Sequence, residues 1–270
     1  MVVEETIDTQ SSLIAFGRRE NLPVVLKVIK DQGDEWRSGE VVAQFDGDGS
    51  VRVYEQVPGA VLLERLTPGN SLVRMVLDGK DEEATNILAD VIERMSMRES
   101  PLSGVDGAEE FVTVQDWARG FERYLATGDD QIPEELVMAA HGTYSDLCAS
   151  QREPRLLHGD LHHYNVLFDS TRGWLAIDPK GVIGELEYEL GAVLRNPIER
   201  PDLFLTPSDI ERRLRQLTSH LHLNLDRAGG WGFSQAVLSA IWDIEDGFRI
   251  DAAHSALRLA TVMRPMVGAI

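Results

Sequence analysis

The stretch "LLHGDLHHYNVLF", residues 156–168, gathers His158, Asp160, His162, His163 and Asn165 within a few positions just past the middle of the chain. A metal cluster, a nucleophile relay and a phosphoryl-transfer loop all use such residues. The sequence that follows separates them. "VLF" (166–168) and "WLAI" (174–177) are apolar runs around the turn "DSTRG", which predicts a β-hairpin. A hairpin symmetric about residues 171 and 172 puts Asn165 opposite Asp178 at its open end, with Asp160 in the loop leading in. Two carboxylates and one amide then converge.

That set suits phosphoryl transfer. In a kinase catalytic loop an Asp five residues before an Asn orients or deprotonates the attacking hydroxyl, and the Asn holds magnesium. A second Asp after a hairpin binds the metal ions that bridge the phosphates. Asp160, Asn165 and Asp178 reproduce this order and spacing, and their hard oxygen atoms match Mg²⁺. His158 then shapes the loop, while His162 and His163 read as packing or hydrogen-bonding residues. A Ser–His–Asp hydrolase is disfavoured because no GxSxG elbow occurs. A metallophosphoesterase would need further metal motifs, and none is present. No Walker A pattern appears; "GDGS" (47–50) lacks the needed third glycine and reads as a hairpin turn.

Composition narrows the partners. The formal net charge of −19 argues against a general nucleic-acid binder, which needs clustered lysine and arginine. It suits a cationic ligand drawn in by the field, or simply solubility. The single Cys148 excludes an internal disulfide framework and fits a reducing compartment. The acidic start "MVVEETIDTQ" lacks signal-peptide features, and no apolar run approaches the ~18 residues of a membrane span. The expectation is a cytoplasmic protein with no membrane or nucleic-acid partner.

The first third reads as β: "SSLIAFGR", "PVVLKVIK", "SVRVYEQV" and "AVLLERL" are short aliphatic runs between turn-formers, with one helix around "DEWRSGEVVAQF". "TPGNS" is a Pro/Gly break, and residues 66–70 read as a connector. Beyond it, helical spacing dominates in "DEEATNILADVIERMS", "PEELVMAAHGTYSDLCAS" and the last sixty residues. The predicted fold class is α+β, with a β-rich N-lobe over residues 1–66 and a mainly helical C-lobe over residues 67–270.

"HGDLHHYN" followed by "IDPKG" resembles the aminoglycoside phosphotransferase superfamily, and residues 156–197 resemble its streptomycin 6-phosphotransferase and hydroxyurea-resistance kinase branch. "DTQSSLI", "VVLK", "GDGSVRVYE" and "VLLERLTPG" extend the likeness. The resemblance implies a two-lobed protein-kinase-like fold that uses ATP and Mg²⁺. It makes Asp160 the catalytic base and Asn165 and Asp178 the metal ligands. Lys27 would contact the α- and β-phosphates, with Glu35 as its carboxylate partner on the following helix and Glu40 as second choice. Ser11 and Ser12 would face the phosphates. "LERLT" (63–67), with Glu64 and Leu66, would be the hinge whose backbone binds adenine. Glu189, where the family usually has Asp, would brace the catalytic loop.

The C-terminal helical region of that family contributes to the acceptor pocket. Here it offers Trp242, Asp243, Glu245 and Asp246 in "AIWDIEDGF". On a helix Asp243 and Asp246 share a face with Trp242 near one edge, and could hold an amine or guanidinium by charge-assisted hydrogen bonds. An acidic solvated face is the plain alternative for each. Glu185 is a further acceptor-site candidate. ATP is a polyanion and this chain is acidic, so Lys27 and Mg²⁺ must supply the local positive charge. The expected function is an ATP-dependent small-molecule O-phosphotransferase, of the streptomycin 6-kinase type that confers antibiotic resistance. The alternatives are a same-fold kinase of a metabolite, sugar or hydroxyurea-like compound, and a nucleotide-binding module without turnover. A protein kinase fits less well, because "APE" and a long activation segment are missing after Asp178.

Overall fold

Aliphatic runs in the first third build one antiparallel sheet from β1 (Val2–Asp8), β2 (Ser12–Arg19), β3 (Leu22–Ile29), β4 (Val53–Val57) and β5 (Ala60–Glu64), in the order β1-β2-β3-β5-β4. The computed structural model describes residues 1–33, 35–96 and 111–267. Strand β1 has no counterpart among the predicted strands: all seven residues are exposed, and "VVEETID" carries no sustained alternation to read. Register pairs Lys27 with Ile14 on one side and Val61 on the other, at the centre of the sheet. Side chains alternate along a strand, so Val25 and Lys27 share the concave face.

Helix α1 (Ser38–Phe45) lies between β3 and β4. It begins later than its sequence window suggests, and Asp34 lies outside the described residues. "GDGS" is not a hairpin turn. Asp46 caps α1 in the left-handed conformation, and the loop then runs to Ala176, whose N–H donates to Gly49 O (2.8 Å). The Pro/Gly-rich connector is also not a plain break. Pro68–Ser71 forms β6 and pairs with β8 (Val166–Asp169), which pairs with β9 (Gly173–Ala176). Proline is tolerated there because it is the first residue of an edge strand, where no ladder N–H is needed. A further two-stranded ladder joins β7 (Arg155–Leu157) to β10 (Val182–Gly184).

The remainder is helical: α2 (Val73–Leu77), α3 (Asp81–Ser96), α4 (Val114–Trp117), α5 (Arg119–Thr127), α6 (Glu134–Ala149), α7 (Leu190–Leu194), α8 (Pro207–His220), α9 (Leu225–Glu245) and α10 (Ser255–Met263). Helix α8 starts where its sequence says it should. Thr206 accepts from Asp209 N (3.2 Å), and Pro207 occupies the first turn. Helix α9 is buried continuously from Ala228 to Ile241, as an apolar surface on all sides requires. Trp231 of α9 meets Tyr144 and Tyr188 edge-on, at 4.9 and 5.0 Å between ring centroids. The core is therefore centred on α9, and the C-terminal end of that helix carries Trp242 towards the loop between β7 and β8.

Candidate active site

The 158–165 loop is held from three sides. Gly159 has φ +80°, and a Cβ there would lie 3.0 Å from Val182 Cγ1 and 3.2 Å from Trp117 Cη2, so only glycine fits without displacement. His158 is buried, and Asp160 N–H donates to its Nδ1 (3.3 Å). The proton therefore sits on Nε2, which donates to Ile177 O (2.9 Å), and burial holds the ring's pKa below the ordinary value. The His158 carbonyl accepts from the N–H groups of Lys180 and Gly181, both at 3.0 Å. Below the loop, the Glu189 carboxylate accepts from Gly159 N (3.1 Å) and Leu161 N (3.4 Å). Burial pushes that carboxyl up to about 7 in spite of the donors.

Asp160 is surrounded by cations. Its Oδ1 accepts from Arg195 Nη2 at 2.7 Å, while its Oδ2 lies 3.6 Å from Lys180 Nζ and 3.8 Å from His162 Nε2. Burial works to raise its pKa, but Lys180, Arg195 and the two histidines outweigh it and hold the carboxyl well below the usual range. Arg195 and Lys180 were not among the expected site residues. Both stand in the 156–197 stretch that carries the resemblance, and for Lys180 a cation two residues after Asp178 was the available signal. His162 accepts from Tyr164 N–H (3.3 Å), and burial pushes its ring down to about 4, so it is neutral near pH 7. His163 packs without hydrogen-bonding: it is fully buried, and neither ring nitrogen has a partner.

The hairpin's register differs from expectation by one residue. Val166 pairs with Ala176 and Asp169 with Gly173, so the centre is Thr171 and the loop has three residues. Asp169 closes it by accepting from Thr171 N, Thr171 Oγ1 and Arg172 N (2.9, 2.6 and 3.0 Å), contacts that hold its carboxyl at about 2. Asn165 therefore faces Ile177, whose N–H donates to its carbonyl (2.9 Å). Asp178 lies one residue beyond, at φ +61°, where the chain turns off the strand direction. Asp is among the few residues that enter this region readily. The Asn165 amide nitrogen donates to Asp160 O (3.0 Å), leaving its side-chain oxygen as the acceptor atom.

On the opposite wall, Lys27 Nζ contacts Asp178 Oδ1 and lies 2.8 Å from Glu35 Oε2. Burial lowers the lysine's pKa, but the two carboxylates more than offset it, so the ammonium stays charged. Glu35 does not sit on the helix as expected. It lies in the turn before α1, while Glu40 on the helix receives Arg37 Nε at 2.8 Å. Ser11 is exposed and donates to Glu35 Oε2 (3.4 Å). Ser12 is corrected: it is buried, its N–H donates to Thr9 Oγ1 (2.9 Å), and its hydroxyl lies 3.1 Å from that atom. Its polar groups close the loop and are not available to phosphate.

Between the walls is a cleft of about 310 Å³, lined by Val25, Val61, Leu63, Leu167 and Ile177, with Lys27 and Asp178 at one end. Glu64, Arg65 and Leu66 run along its edge. The Glu64 carboxylate is engaged by Arg172 and by Arg52 N (2.7 Å), so this segment can offer a flat base only its backbone. An apolar slot ending in a few polar groups suits a nucleotide. Asn165 and Asp178 offer an amide carbonyl and a carboxylate, hard donors that fit Mg²⁺ and not a softer ion.

The acceptor candidates divide. Trp242 is half-buried, edge-on to Trp117 at 5.5 Å, with Lys180 Nζ 5.8 Å from its ring centre. Lys180 thus connects it to Asp160. Asp243 pairs with His254 (3.2 Å), and Asp246 is exposed. Glu245 is held bidentately by Arg123 at 2.7 and 2.9 Å. Glu185 is corrected outright: it is fully buried, and accepts from Arg227 Nε (2.8 Å), Trp231 Nε1 (2.5 Å) and Arg152 N (3.0 Å). It anchors the first half of α9, roughly 16 Å along the helix from Trp242 by rise per residue.

A family model described as aminoglycoside/hydroxyurea antibiotic resistance kinase matches residues 2–247. Among curated proteins, a streptomycin 3''-kinase of Klebsiella pneumoniae is 34% identical over 90% of this chain and 88% of its own length. A streptomycin 6-kinase of Streptomyces griseus is 32% identical over 75% of this chain and 65% of its own. A hydroxyurea phosphotransferase of Kitasatospora aureofaciens is 30% identical over 79% and 61%. Among solved structures, a thermostable aminoglycoside phosphotransferase APH(4)-Ia in ternary complex with AMP-PNP and hygromycin B aligns with TM-score 0.70 at 16% identity, covering 99% of this chain and 96% of that one. An ethanolamine kinase of Plasmodium vivax aligns with TM-score 0.67 at 10% identity, covering 98% and 83%. The kinase-like α+β fold follows from these likenesses.

Proposed function

Because the chain belongs to the aminoglycoside/hydroxyurea antibiotic resistance kinase family, we propose that it transfers the γ-phosphoryl group of ATP to a hydroxyl of a streptomycin-type aminocyclitol. The observation that carries this reading is the meeting of Lys27, from the sheet, with Glu35 and with Asp178 at the end of the hairpin, where Ile177 is bonded to Asn165 and Asn165 in turn to the Asp160 loop. Leu66 and its neighbours would present backbone groups to adenine, and Lys27 would contact the α- and β-phosphates. Asn165 and Asp178 would hold Mg²⁺, which when bound neutralises charge on the bridged phosphates.

Asp160 orients the acceptor hydroxyl with Oδ2, since Arg195 occupies Oδ1. The P–O bond to ADP breaks, the acceptor oxygen bonds to phosphorus, and the hydroxyl proton passes to Asp160 and on to solvent. A carboxyl held so far below its usual range is a weak base. That suits a loose transition state, in which positioning and electrostatics carry most of the rate. ATP use and the single half-buried Cys148 support a cytoplasmic setting, and no helix among the described residues is long and apolar enough to cross a membrane.

The test is Mg²⁺-dependent ADP release across aminocyclitols, sugars, amino alcohols and hydroxyurea, with the product's phosphorylated position read by NMR. Turnover on streptomycin at its 6-hydroxyl is the expected result. Phosphorylation at the 3''-hydroxyl would move the assignment to the type of the Klebsiella relative, and hydroxyurea as best acceptor would replace the aminocyclitol. No ATP consumption with any acceptor would sink the reading.

A further inference from the structure

We propose that Lys180 is the cation that meets the transferring γ-phosphoryl group, a catalytic residue outside the Asp160–Asn165–Asp178 set; the assignment rests on the phosphotransferase reading above. Among the described residues, Lys27, Arg195 and Lys180 bring cationic side chains to this centre, and the first two are committed. Lys27 is in contact with two carboxylates on the sheet wall. Arg195 is 9% exposed, bonded to Asp160 Oδ1 and 3.2 Å from Gln235 Oε1. Lys180 has a third of its side chain exposed, and its ammonium lies 3.6 Å from Asp160 Oδ2, beyond ordinary hydrogen-bond length.

Its root is fixed, and its head reaches the centre. The Lys180 N–H donates to His158 O (3.0 Å) next to Pro179, which lines the nucleotide cleft, while the ammonium rests over Trp242 at 5.8 Å. Asp160 Oδ2 is the atom that receives the acceptor hydroxyl. A cation 3.6 Å from that oxygen stands beside the point where hydroxyl and phosphorus meet. The phosphoryl group would pass close to the carboxylates of Asp160 and Asp178, in a chain of net charge −19, so a point charge here lowers the cost of bringing it in. Lys180 neutralises charge and forms no bond to phosphorus.

The experiment compares the full chain with Lys180→Met, Lys180→Gln and Lys180→Arg. Calorimetry with Mg²⁺ measures affinity for AMP-PNP and for ADP, and steady-state assays measure kcat and KM. For Lys180→Met and Lys180→Gln, kcat should fall by ~10²–10³. The AMP-PNP preference over ADP should vanish while ADP affinity holds, with part of that preference restored in Lys180→Arg. Wild-type kcat in Lys180→Met, or equal loss of ADP and AMP-PNP binding, would overturn the proposal. If Lys180→Met fails to fold, Lys180→Gln and Lys180→Arg decide it. If the wild-type chain turns over no acceptor, the phosphotransferase reading fails separately, and the nucleotide comparison still tells whether Lys180 senses the γ-phosphate.

Discussion

Asp160→Ala removes the atom proposed to receive the acceptor hydroxyl and leaves the Lys27 contacts intact. Turnover should drop by ~10²–10⁴ while ADP still binds. Near-wild-type turnover would strip Asp160 of its role. Asp178→Ala should instead abolish Mg²⁺-dependent stabilisation by ATP in a thermal-shift titration, and an undiminished shift would contradict its assignment. These two residues stood out in the sequence because their spacing carries the chemistry. Arg195 and Lys180 did not, because a cation's partner is fixed only by folding: Arg195 reaches Asp160 across 35 positions. Glu185 misled for the converse reason, since nothing local to "IGELEY" reveals that Arg227 and Trp231 will bury it.

At the scale of elements, strands β2 to β5 and the long helices were legible from alternation and helical spacing. Their packing against one core agrees with their local preference. The β8–β9 register was not, because loop length depends on how Asp169 closes the turn, and a three-residue loop moves every pairing by one. Gly159→Ala forces a side chain into φ +80° against Val182 and should cost about 1–2 kcal/mol of folding stability, seen as a lower urea midpoint. An unchanged midpoint would show that the loop relaxes freely. Helices α3 and α8 are joined by Asp81, which receives Arg213 Nε at 3.0 Å, and Arg213 is fully buried. Asp81→Asn leaves that guanidinium without a counter-charge and should destabilise by about 3–5 kcal/mol. Calorimetric melting would measure it, and a loss below about 1 kcal/mol would place the pair among surface bridges.

For the whole molecule, the two-lobed plan was readable from the change in periodicity, and the proposed division at residues 66 and 67 sits where the chain leaves the five-stranded sheet for β6. Acid response is a property of the assembled core. His158, His162 and His163 all have folded pKa values below the ordinary 6.5, so between that value and their folded ones the unfolded chain binds more protons. The stability of their neutral state is full above about pH 6.5 and lost as pH falls below it. Glu189 opposes this: its carboxyl is raised from 4.5 to about 7, so the folded chain holds the extra proton in that window. Three depressed histidines outweigh the one raised carboxyl, so protons are taken up on unfolding in that window. Urea midpoints should therefore fall from about pH 7 to about 5.5, and His163→Leu should flatten the slope. A midpoint that rises on acidification would be the contrary result.

The contact between Lys27 and Asp178 joins groups 151 positions apart, one from each side of the cleft. It acts as a clasp with its own counter-ion already in place. On the proposed function, nucleotide entry would be an exchange: Asp178 would give up the ammonium to hold a divalent ion, and Lys27 would turn towards the incoming anion. Ligand and metal are best received together, as a preformed pair, and rapid-mixing experiments should find loading slower when the triphosphate is delivered first with a chelator than when both arrive at once.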